Sequence, residues 1–216
     1  MSGALTRIGR YLATIGASPE DLAVTKVSRR RDPFGVLVAT IISLRTKDEV
    51  TDVAAPKLLN EAPTPRRLAR LTHRRIERLI YPAGFYKTKA RVLRRLGATL
   101  LRDHGSRVPD TIDGLVALHG VGRKTANLVV TLGYGKPGIC VDIHVHRISN
   151  RLGYVGTLAP DETEQVLRRK LPRRWWIPIN DLLVTFGRTT CTPVSPWCSR
   201  CPVTDVCQRV GVGRTR

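Results

Sequence analysis

The chain has 216 residues, of which 42% are hydrophobic, and it carries a formal net charge of +20 with a pI near 10.9. This apolar content is sufficient for one large or two small domains with a hydrophobic core, and it is not typical of a disordered chain. The charge favours a polyanionic partner, with nucleic acid ahead of an anionic membrane surface. No stretch approaches the ~18 apolar residues of a membrane span, and the N-terminus lacks the apolar core and cleavage site of a signal peptide. We therefore expect a monomer located in the cytosol or on the nucleoid.

The first half of the chain is predicted to form helices that begin at capping residues. A helix is predicted over 4–16, and Ser18-Pro19 has the cap and first-turn proline of a second one. A basic patch covers 26–31. Asp32-Pro33 repeats the capping pattern, and apolar residues then recur at helical spacing through Ile42, which predicts a core helix.

The remaining elements are also helical. Residues 43–48 break the apolar pattern, Thr64 and Thr72 cap two short helices, and residues 81–87 form a hairpin that leads into a long helix. Further helices are predicted at 111–118, 124–133, from 141, at 161–171 and at 177–187. No stretch alternates apolar and polar residues over a convincing length, so the predicted fold class is all-α.

Residues 118–127, with the sequence LHGVGRKTAN, are predicted to form a tight turn followed by a helix. Gly120 and Gly122 can adopt backbone angles closed to residues with a Cβ, so the amides of the turn can converge on an anion. The helix that starts near Arg123 adds N–H groups with a positive dipole end. These features predict a site for a backbone phosphate, although an ordinary helix-to-helix turn would have the same sequence pattern.

Lys124 and Asp142 are a candidate catalytic pair on two different elements. A nucleophilic lysine needs its pKa lowered from ~10.4 towards ~7 to 8. The helix start and the neighbouring Arg123 both disfavour the ammonium form. The alternatives are a solvated Lys124 and an Asp142 that only caps the following helix, and capping is compatible with an ionised carboxylate.

Four of the five cysteines lie in the last 26 residues, in a C-x6-C-x2-C-x5-C array. In a cytosolic chain, such cysteines are metal ligands or buried thiols more often than disulfides. Zinc accepts four cysteines but commonly has two closely spaced pairs, whereas here only the middle pair is close, which favours a cubane iron–sulfur cluster. Cys140 stands apart in an apolar context and is predicted to be a buried thiol. The candidate ligands are Cys191, Cys198, Cys201 and Cys207.

Two further pairs have ordinary interpretations. His144 and His146 are two residues apart, so on a helix they cannot share a metal ion, and they are interpreted as helix-face residues with His144 as a candidate phosphate contact. Trp175 and Trp176 are predicted to pack within the C-terminal part rather than to stack on bases.

Three features in register resemble the endonuclease III family of the helix-hairpin-helix DNA glycosylases. They are residues 118–127, the Val-Asp-Ile-His sequence at 141–144, and Gly187-Arg188 before the cysteine array. The resemblance also covers 32–48 and 84–90, and it therefore spans nearly the whole chain.

The resemblance implies two α-helical domains with DNA bound in the cleft between them. A six-helix barrel domain with the helix-hairpin-helix would comprise 27–136, and a discontinuous domain of 1–26 plus 137–216 would hold a 4Fe-4S cluster on the four cysteines. The expected partner is double-stranded DNA that contains damaged bases or abasic sites.

The resemblance also implies a base excision repair glycosylase with abasic-site lyase activity on oxidised pyrimidines such as thymine glycol. The damaged base is flipped out of the duplex, Lys124 attacks the sugar C1′, and the resulting Schiff base leads to β-elimination. Asp142 would help to activate the lysine and stabilise the cationic sugar, and Arg200 would contact the DNA backbone. The residues expected to hold a phosphate, together with a monovalent cation, are Gly120, Val121, Gly122 and Arg123.

Two positions depart from the family pattern. Arg45 stands where the family commonly has glutamine, in the loop that fills the hole left by the flipped base, and arginine is longer, charged and donor-only. His119 stands where proline is usual. Phe85 and Tyr86 are candidate wedge residues, with core packing as the alternative.

Other activities remain open at this point. Arg45 is compatible with a mismatch thymine or uracil glycosylase, or with an enzyme that is mainly an abasic-site lyase. A protein of a different class, a non-enzymatic module that only binds DNA, would show salt-sensitive binding without release of any base.

Overall fold

The computed structural model describes residues 1–28 and 32–216, and within these ranges it contains α-helices and no β-strand. The all-α fold class is therefore confirmed. The basic patch at 26–31 lies partly outside the described residues. The α-helices are, in chain order, α1 (Ser2–Thr14), α2 (Ala23–Ser28), α3 (Pro33–Ser43), α4 (Asp48–Glu61), α5 (Pro65–Arg70), α6 (His73–Ile80), α7 (Tyr86–Asp103), α8 (Ile112–Val116), α9 (Arg123–Leu128), α10 (Ile143–Arg151), α11 (Pro160–Lys170) and α12 (Pro178–Thr189).

The chain divides into two compact units. One comprises Leu22–Lys136, and the other combines Met1–Asp21 with Pro137–Arg216. The first boundary between these units follows Asp21, and the domain bounds implied by the family resemblance, 27–136 and 1–26 plus 137–216, stay a prediction. Each unit has its own hydrophobic core.

Helix α3 is the core helix of the unit Leu22–Lys136. The Asp32 carboxylate accepts the N–H of Phe34 at 3.0 Å, and Pro33 occupies the first helical position, which requires no N–H donor. Every residue from Phe34 to Ile42 is buried. Helices α2, α4, α7 and α9 all pack against it, as expected for a helix that is apolar on all sides.

Helices α5, α6 and α7 form a packed group in the same unit. The hydroxyls of Thr64 and Thr72 each accept the N–H of the third residue after them, which confirms both predicted caps. Gly97 lets α7 approach α5 closely, because a Cβ there would lie 2.9 Å from the backbone nitrogen of Ala69.

The other unit joins the two ends of the chain. Leu5, Ile8 and Leu12 of α1 are fully buried in its core, and α12 packs against both α1 and α10. The helix predicted from Ser18-Pro19 is instead a 3₁₀ turn at Pro19–Asp21. The Ser18 hydroxyl accepts the N–H of Glu20 there, and α2 begins only at Ala23. Among the described residues, no helix is long and apolar enough to cross a membrane.

Candidate functional site

The turn before α9 is closed by one backbone hydrogen bond. The N–H of Val121 donates to the carbonyl of Leu118 at 3.1 Å, and Gly120 adopts a φ of +81°, which favours glycine. Gly122 has an extended backbone, with φ −90° and ψ 172°, so the unusual angle predicted for both glycines is needed only at Gly120. His119 is exposed, and the turn forms without the proline usual in the family.

Lys124 is the second residue of α9 and its side chain is exposed, whereas residues 125–128 are buried. The helix continues directly into a π-helical segment, Val129–Gly133, which packs against α3. Such π segments are frequent at functional sites. The backbone of Lys124 is thus anchored in the core of its unit, and its amine reaches the surface.

Asp142 belongs to the other unit and is 8% exposed. Its Oδ1 accepts the N–H groups of His144 at 2.8 Å and Val145 at 2.9 Å, so it caps α10 as predicted. The carboxylate is therefore held in a fixed position at the start of that helix.

The two histidines of α10 have separate surroundings. The Nδ1 of His144 lies 3.1 Å from a terminal guanidinium nitrogen of Arg147, and its ring packs against Gly187, where a Cβ would overlap it. The Nδ1 of His146 lies 2.7 Å from the hydroxyl of Thr163 in α11. Their roles as helix-face residues are confirmed by these contacts.

Arg45 lies at the tip of a turn between α3 and α4. The N–H of Thr46 donates to the carbonyl of Ser43 at 3.0 Å, and Arg45 adopts a φ of 51°. A non-glycine residue with this angle is uncommon. We call residues 43–46 the recognition turn, because the family resemblance implies that the gap-filling residue lies here.

The two wedge candidates differ in their surroundings. Phe85 is 62% exposed and adopts a φ of 57° at the tip of the hairpin formed by residues 81–86. Tyr86 is half-buried against the core, and its ring meets that of Tyr81 edge-on at a centroid distance of 5.4 Å. Tyr86 therefore packs in part against the core, and the wedge interpretation stays a prediction for both residues.

The recognition turn and the hairpin of residues 81–86 touch each other. The guanidinium carbon of Arg45 lies 5.5 Å from the centroid of the Phe85 ring, within cation–π range. The N–H of Gly84 donates to the Thr46 hydroxyl at 3.1 Å. Position 84 requires glycine because a Cβ there would overlap the carbonyl oxygen of Arg45.

Lys89 is a buried cation beneath this contact that the sequence analysis did not identify. Its ammonium donates to the carbonyls of Ile42 and Leu44, both at 2.6 Å, and to the Thr46 hydroxyl at 2.7 Å. The residue is 6% exposed, and burial lowers its pKa from its ordinary value of 10.5 to about 8.

The four cysteines of the C-terminal array line one cavity. Burial raises the pKa of Cys201 to about 11, and the other three cysteines of the array add to this rise. Burial also raises the pKa of Cys207. Four thiols around one cavity are a donor set that a bound cation would stabilise as thiolates.

Two arginines of α10 hold the cysteine segment in place. The Arg151 guanidinium donates to the sulfur of Cys191 at 3.4 Å and to the carbonyls of Thr192 and Pro193 at 2.7 Å each. Arg147 donates to the carbonyl of Cys191 at 2.9 Å. The sequence contains no indication of these contacts, because the two residues of each pair are 40 to 44 positions apart in the chain.

The four thiols can be compared with the needs of a single ion and of a cluster. In residues 1–28 and 32–216, no three His, Cys, Asp or Glu side chains are arranged to bind one metal ion. The sulfurs of a tetrahedral zinc site would lie about 3.8 Å apart. In a cubane each cysteine binds a different iron atom, so wider spacing around a shared cavity is compatible with it.

Arg200 lies in the cysteine segment and is exposed. Its guanidinium stacks on the Trp197 ring at 4.3 Å, and Arg216 approaches the same ring at 4.7 Å. Arg200 also donates to the carbonyl of Thr189 at 3.2 Å. These contacts hold a cation at the surface beside the cysteines.

The remaining sequence predictions for this unit concern packing. Cys140 is 2% exposed, which confirms a buried thiol. Trp175 and Trp176 are half-buried against the core, which confirms packing rather than a stacking platform.

Comparisons with known proteins agree with this arrangement. Residues 38–173 match the family described as HhH-GPD superfamily base excision DNA repair protein. Endonuclease III of Thermotoga maritima is 44% identical over 191 residues, which cover 87% of this chain and 90% of that protein. Endonuclease III of Bacillus subtilis is 35% identical over 178 residues, which cover 82% of this chain and 81% of that protein.

Solved structures give the same result. One described as a trapped endonuclease III-DNA covalent intermediate, an estranged-adenine complex, has a TM-score of 0.84 at 31% identity and covers 96% of this chain and 94% of that chain. The structure of a thermostable thymine-DNA glycosylase has a TM-score of 0.74 at 24% identity, and the match covers 83% of this chain and 84% of that chain. At this identity it supports the fold alone. The chain therefore belongs to the endonuclease III family within the HhH-GPD superfamily of base excision DNA repair proteins.

Proposed function

We propose that this protein is a base excision repair DNA glycosylase with abasic-site lyase activity, which removes oxidised pyrimidines of the thymine glycol type. The observation that carries the proposal is Lys124, an exposed lysine on a buried helix directly after the Gly120–Gly122 turn. The 44% identity to an endonuclease III over 87% of the chain supports the same class of reaction.

In this mechanism the amine of Lys124, in its neutral form, attacks C1′ of the damaged nucleotide. The bond from C1′ to the base breaks, and the base leaves with the electron pair and takes up a proton. The C1′–O4′ bond of the sugar ring then breaks, O4′ takes up a proton, and C1′ forms an iminium double bond with Nζ. Loss of a C2′ proton then expels the 3′ phosphate by β-elimination, and water hydrolyses the imine to release Lys124.

Asp142 and the basic residues have supporting roles in the proposal. The Asp142 carboxylate, fixed by the cap of α10, supplies negative charge for the cationic sugar and for proton transfer from the lysine. The turn at Gly120–Gly122 binds a backbone phosphate, together with the monovalent cation implied by the family resemblance. The Val121 N–H already donates to the Leu118 carbonyl within the turn, so the backbone amides after Val121 are the donors proposed for the phosphate. His144 and Arg200 are further candidates for backbone contacts.

We also propose that Cys191, Cys198, Cys201 and Cys207 hold a 4Fe-4S cluster. The shared cavity and the Arg151 bond to the Cys191 sulfur support this assignment. When bound, the cluster would tie the cysteine segment together. Iron and sulfide analysis of the purified protein, with its visible absorbance, tests the assignment, and a colourless protein containing zinc would contradict it.

Borohydride trapping tests the proposed nucleophile. Wild-type protein incubated with a duplex containing thymine glycol and borohydride should form a covalent complex, because hydride reduces the iminium to a stable amine. Lys124→Ala should abolish trapping, whereas Lys57→Ala, which changes an exposed lysine of α4, should trap as well as wild type. Trapping by Lys124→Ala at the wild-type level would show that another residue is the nucleophile.

Arg45 is also compatible with a glycosylase that acts on mismatched thymine or uracil, or with an enzyme that is mainly an abasic-site lyase. A panel of duplexes containing thymine glycol, uracil opposite guanine, thymine opposite guanine and a preformed abasic site distinguishes these activities. A protein that binds every duplex but releases no base, and whose behaviour is unchanged in Asp142→Asn, would instead be a non-enzymatic binding module.

A further inference from the structure

The three hydrogen bonds of Lys89 all end on one segment of the chain. Its partners are the carbonyl of Ile42 near the end of α3, the carbonyl of Leu44 just after that helix, and the hydroxyl of Thr46. An ammonium has three donors and no acceptor, so three acceptors within 2.7 Å satisfy it fully. Lys89 therefore connects α7 to both sides of Arg45 without touching Arg45 itself.

The backbone at Arg45 and Phe85 adopts a conformation that is unfavourable for residues with a Cβ. Arg45 and Phe85 are non-glycine residues in the left-handed region, with φ of 51° and 57°. Such residues persist only where their surroundings fix them. Lys89 fixes the recognition turn from below, and Gly84 joins it to the hairpin through the bond to Thr46. The ammonium of Lys89 and the N–H of Gly84 donate to the same oxygen, the Thr46 hydroxyl.

Arg45 and Phe85 form an exposed pair, in which the guanidinium cation lies over the aromatic ring. Arg45 is exposed, Phe85 is 62% exposed, and their groups lie 5.5 Å apart. A ring and a guanidinium plane are both surfaces on which a nucleic acid base can stack. An unpaired base in a duplex presents such a face.

We propose that Lys89 is a positioning residue that holds Arg45 and Phe85 as one stacked pair, which contacts the unpaired base opposite a lesion. The inference rests on the proposed function, because it takes this surface to face damaged DNA. Lys89 does not meet the DNA and acts only through the recognition turn.

Fluorescence of 2-aminopurine tests the proposal without requiring turnover. The probe is a duplex with a tetrahydrofuran abasic analogue opposite 2-aminopurine, titrated with the full-length protein. Binding of wild type should change the fluorescence of the unpaired base. Lys89→Met, Arg45→Met and Phe85→Ala should each lose more than half of this change, and Lys57→Met should keep it.

A double variant separates positioning from general stability. If Lys89 acts through the pair, then Lys89→Met combined with Arg45→Met should lose no more of the fluorescence change than Arg45→Met alone. A purely structural role would give an additional loss. Full amplitude in Lys89→Met, an additional loss in the double variant, or no change with wild type would each overturn the inference.

Thr46→Val provides a second variant if Lys89→Met fails to fold. It removes one acceptor of Lys89 and the bond to Gly84, and it leaves both carbonyl contacts. We expect an intermediate loss of amplitude, and wild-type amplitude would contradict the proposal. A fluorescence change without base release from any lesion would refute the proposed function but leave this inference standing.

Discussion

The burial of Lys89 makes a prediction about pH that can be worked out in sign and size. Its pKa is lowered from 10.5 to about 8 by burial, which corresponds to at most about 3 kcal/mol. The unfolded chain keeps the proton up to about pH 10.5, whereas the folded protein releases it near pH 8. Between these values the unfolded state binds more protons, so the free energy of unfolding rises with pH.

The charged groups on neighbouring segments do not oppose this expectation. Arg45, Lys47 and Asp48 lie on or beside the recognition turn, and Lys87 and Arg91 lie on α7, but burial is the sole cause of the lowered pKa of Lys89. The three direct partners of Lys89 are uncharged oxygens. The shift therefore follows from desolvation of the ammonium.

Two assays on the wild type and Lys89→Met check the prediction. In lysine labelled with ¹³C at Cε, one of the eight lysine signals should titrate near pH 8 and be absent from the variant. In urea unfolding, the difference in free energy between wild type and variant should change by about 2 to 3 kcal/mol from pH 7 to pH 10, in favour of wild type. Titration of the Lys89 signal above pH 10 would refute the reasoning.

The same titration should weaken the recognition turn while the protein becomes more stable. A neutral amine has two N–H donors for the three acceptors of Lys89, so one of them loses its partner above pH 8. The 2-aminopurine response should then decline between pH 8 and pH 9.5 although the free energy of unfolding rises. A parallel rise of both quantities would show that the ammonium does not hold the turn.

Three substitutions test other contacts. Gly84→Ala places a Cβ against the Arg45 carbonyl, so urea unfolding should show a loss of about 1 to 3 kcal/mol and the 2-aminopurine response should fall; wild-type values of both would contradict the close approach. Arg151→Met removes three hydrogen bonds to the cysteine segment, and iron content per chain should fall while helical circular dichroism persists; full iron content would show that these bonds are dispensable. Arg200→Met should reduce the slope of log K against log salt for duplex binding by about 0.9, and an unchanged slope would remove Arg200 from the phosphate contacts.

Structural features formed by residues close together in the sequence could be predicted from it. The caps at Asp32, Thr64, Thr72 and Asp142 join a side chain to an N–H two or three residues away, and so the residue pattern contains all the information needed. The four cysteines and the turn before Lys124 are likewise local patterns. They also carry the family resemblance.

Lys89 depends on residues that lie 43 to 47 positions earlier in the chain. A signal was nevertheless present, because Lys89 precedes Leu93, Leu96 and Leu100 at helical spacing and thus lies on the buried face of α7. A lysine on that face must find acceptors within the protein. Which carbonyls provide them is decided by tertiary packing.

The left-handed angle at Arg45 could not be predicted in the same way. A turn position with positive φ is typically occupied by glycine or asparagine, and nothing in the residues around Arg45 suggests it. The residues on either side of Arg45 are instead bonded to Lys89, and Gly84 packs against the Arg45 carbonyl; both belong to distant parts of the chain. Tertiary contacts therefore determine the local backbone here.

The division of the chain affects the order in which it can fold during synthesis. Helix α1 is synthesised before helices α2 to α12, but its apolar residues Leu5, Ile8 and Leu12 pack in a core to which α12 also contributes. All of Leu22–Lys136 is synthesised in between and can fold as a unit on the nascent chain. Until α12 has been synthesised, the apolar residues of α1 lack part of the core in which they are buried, so this unit can complete its folding only after the unit Leu22–Lys136 has been made.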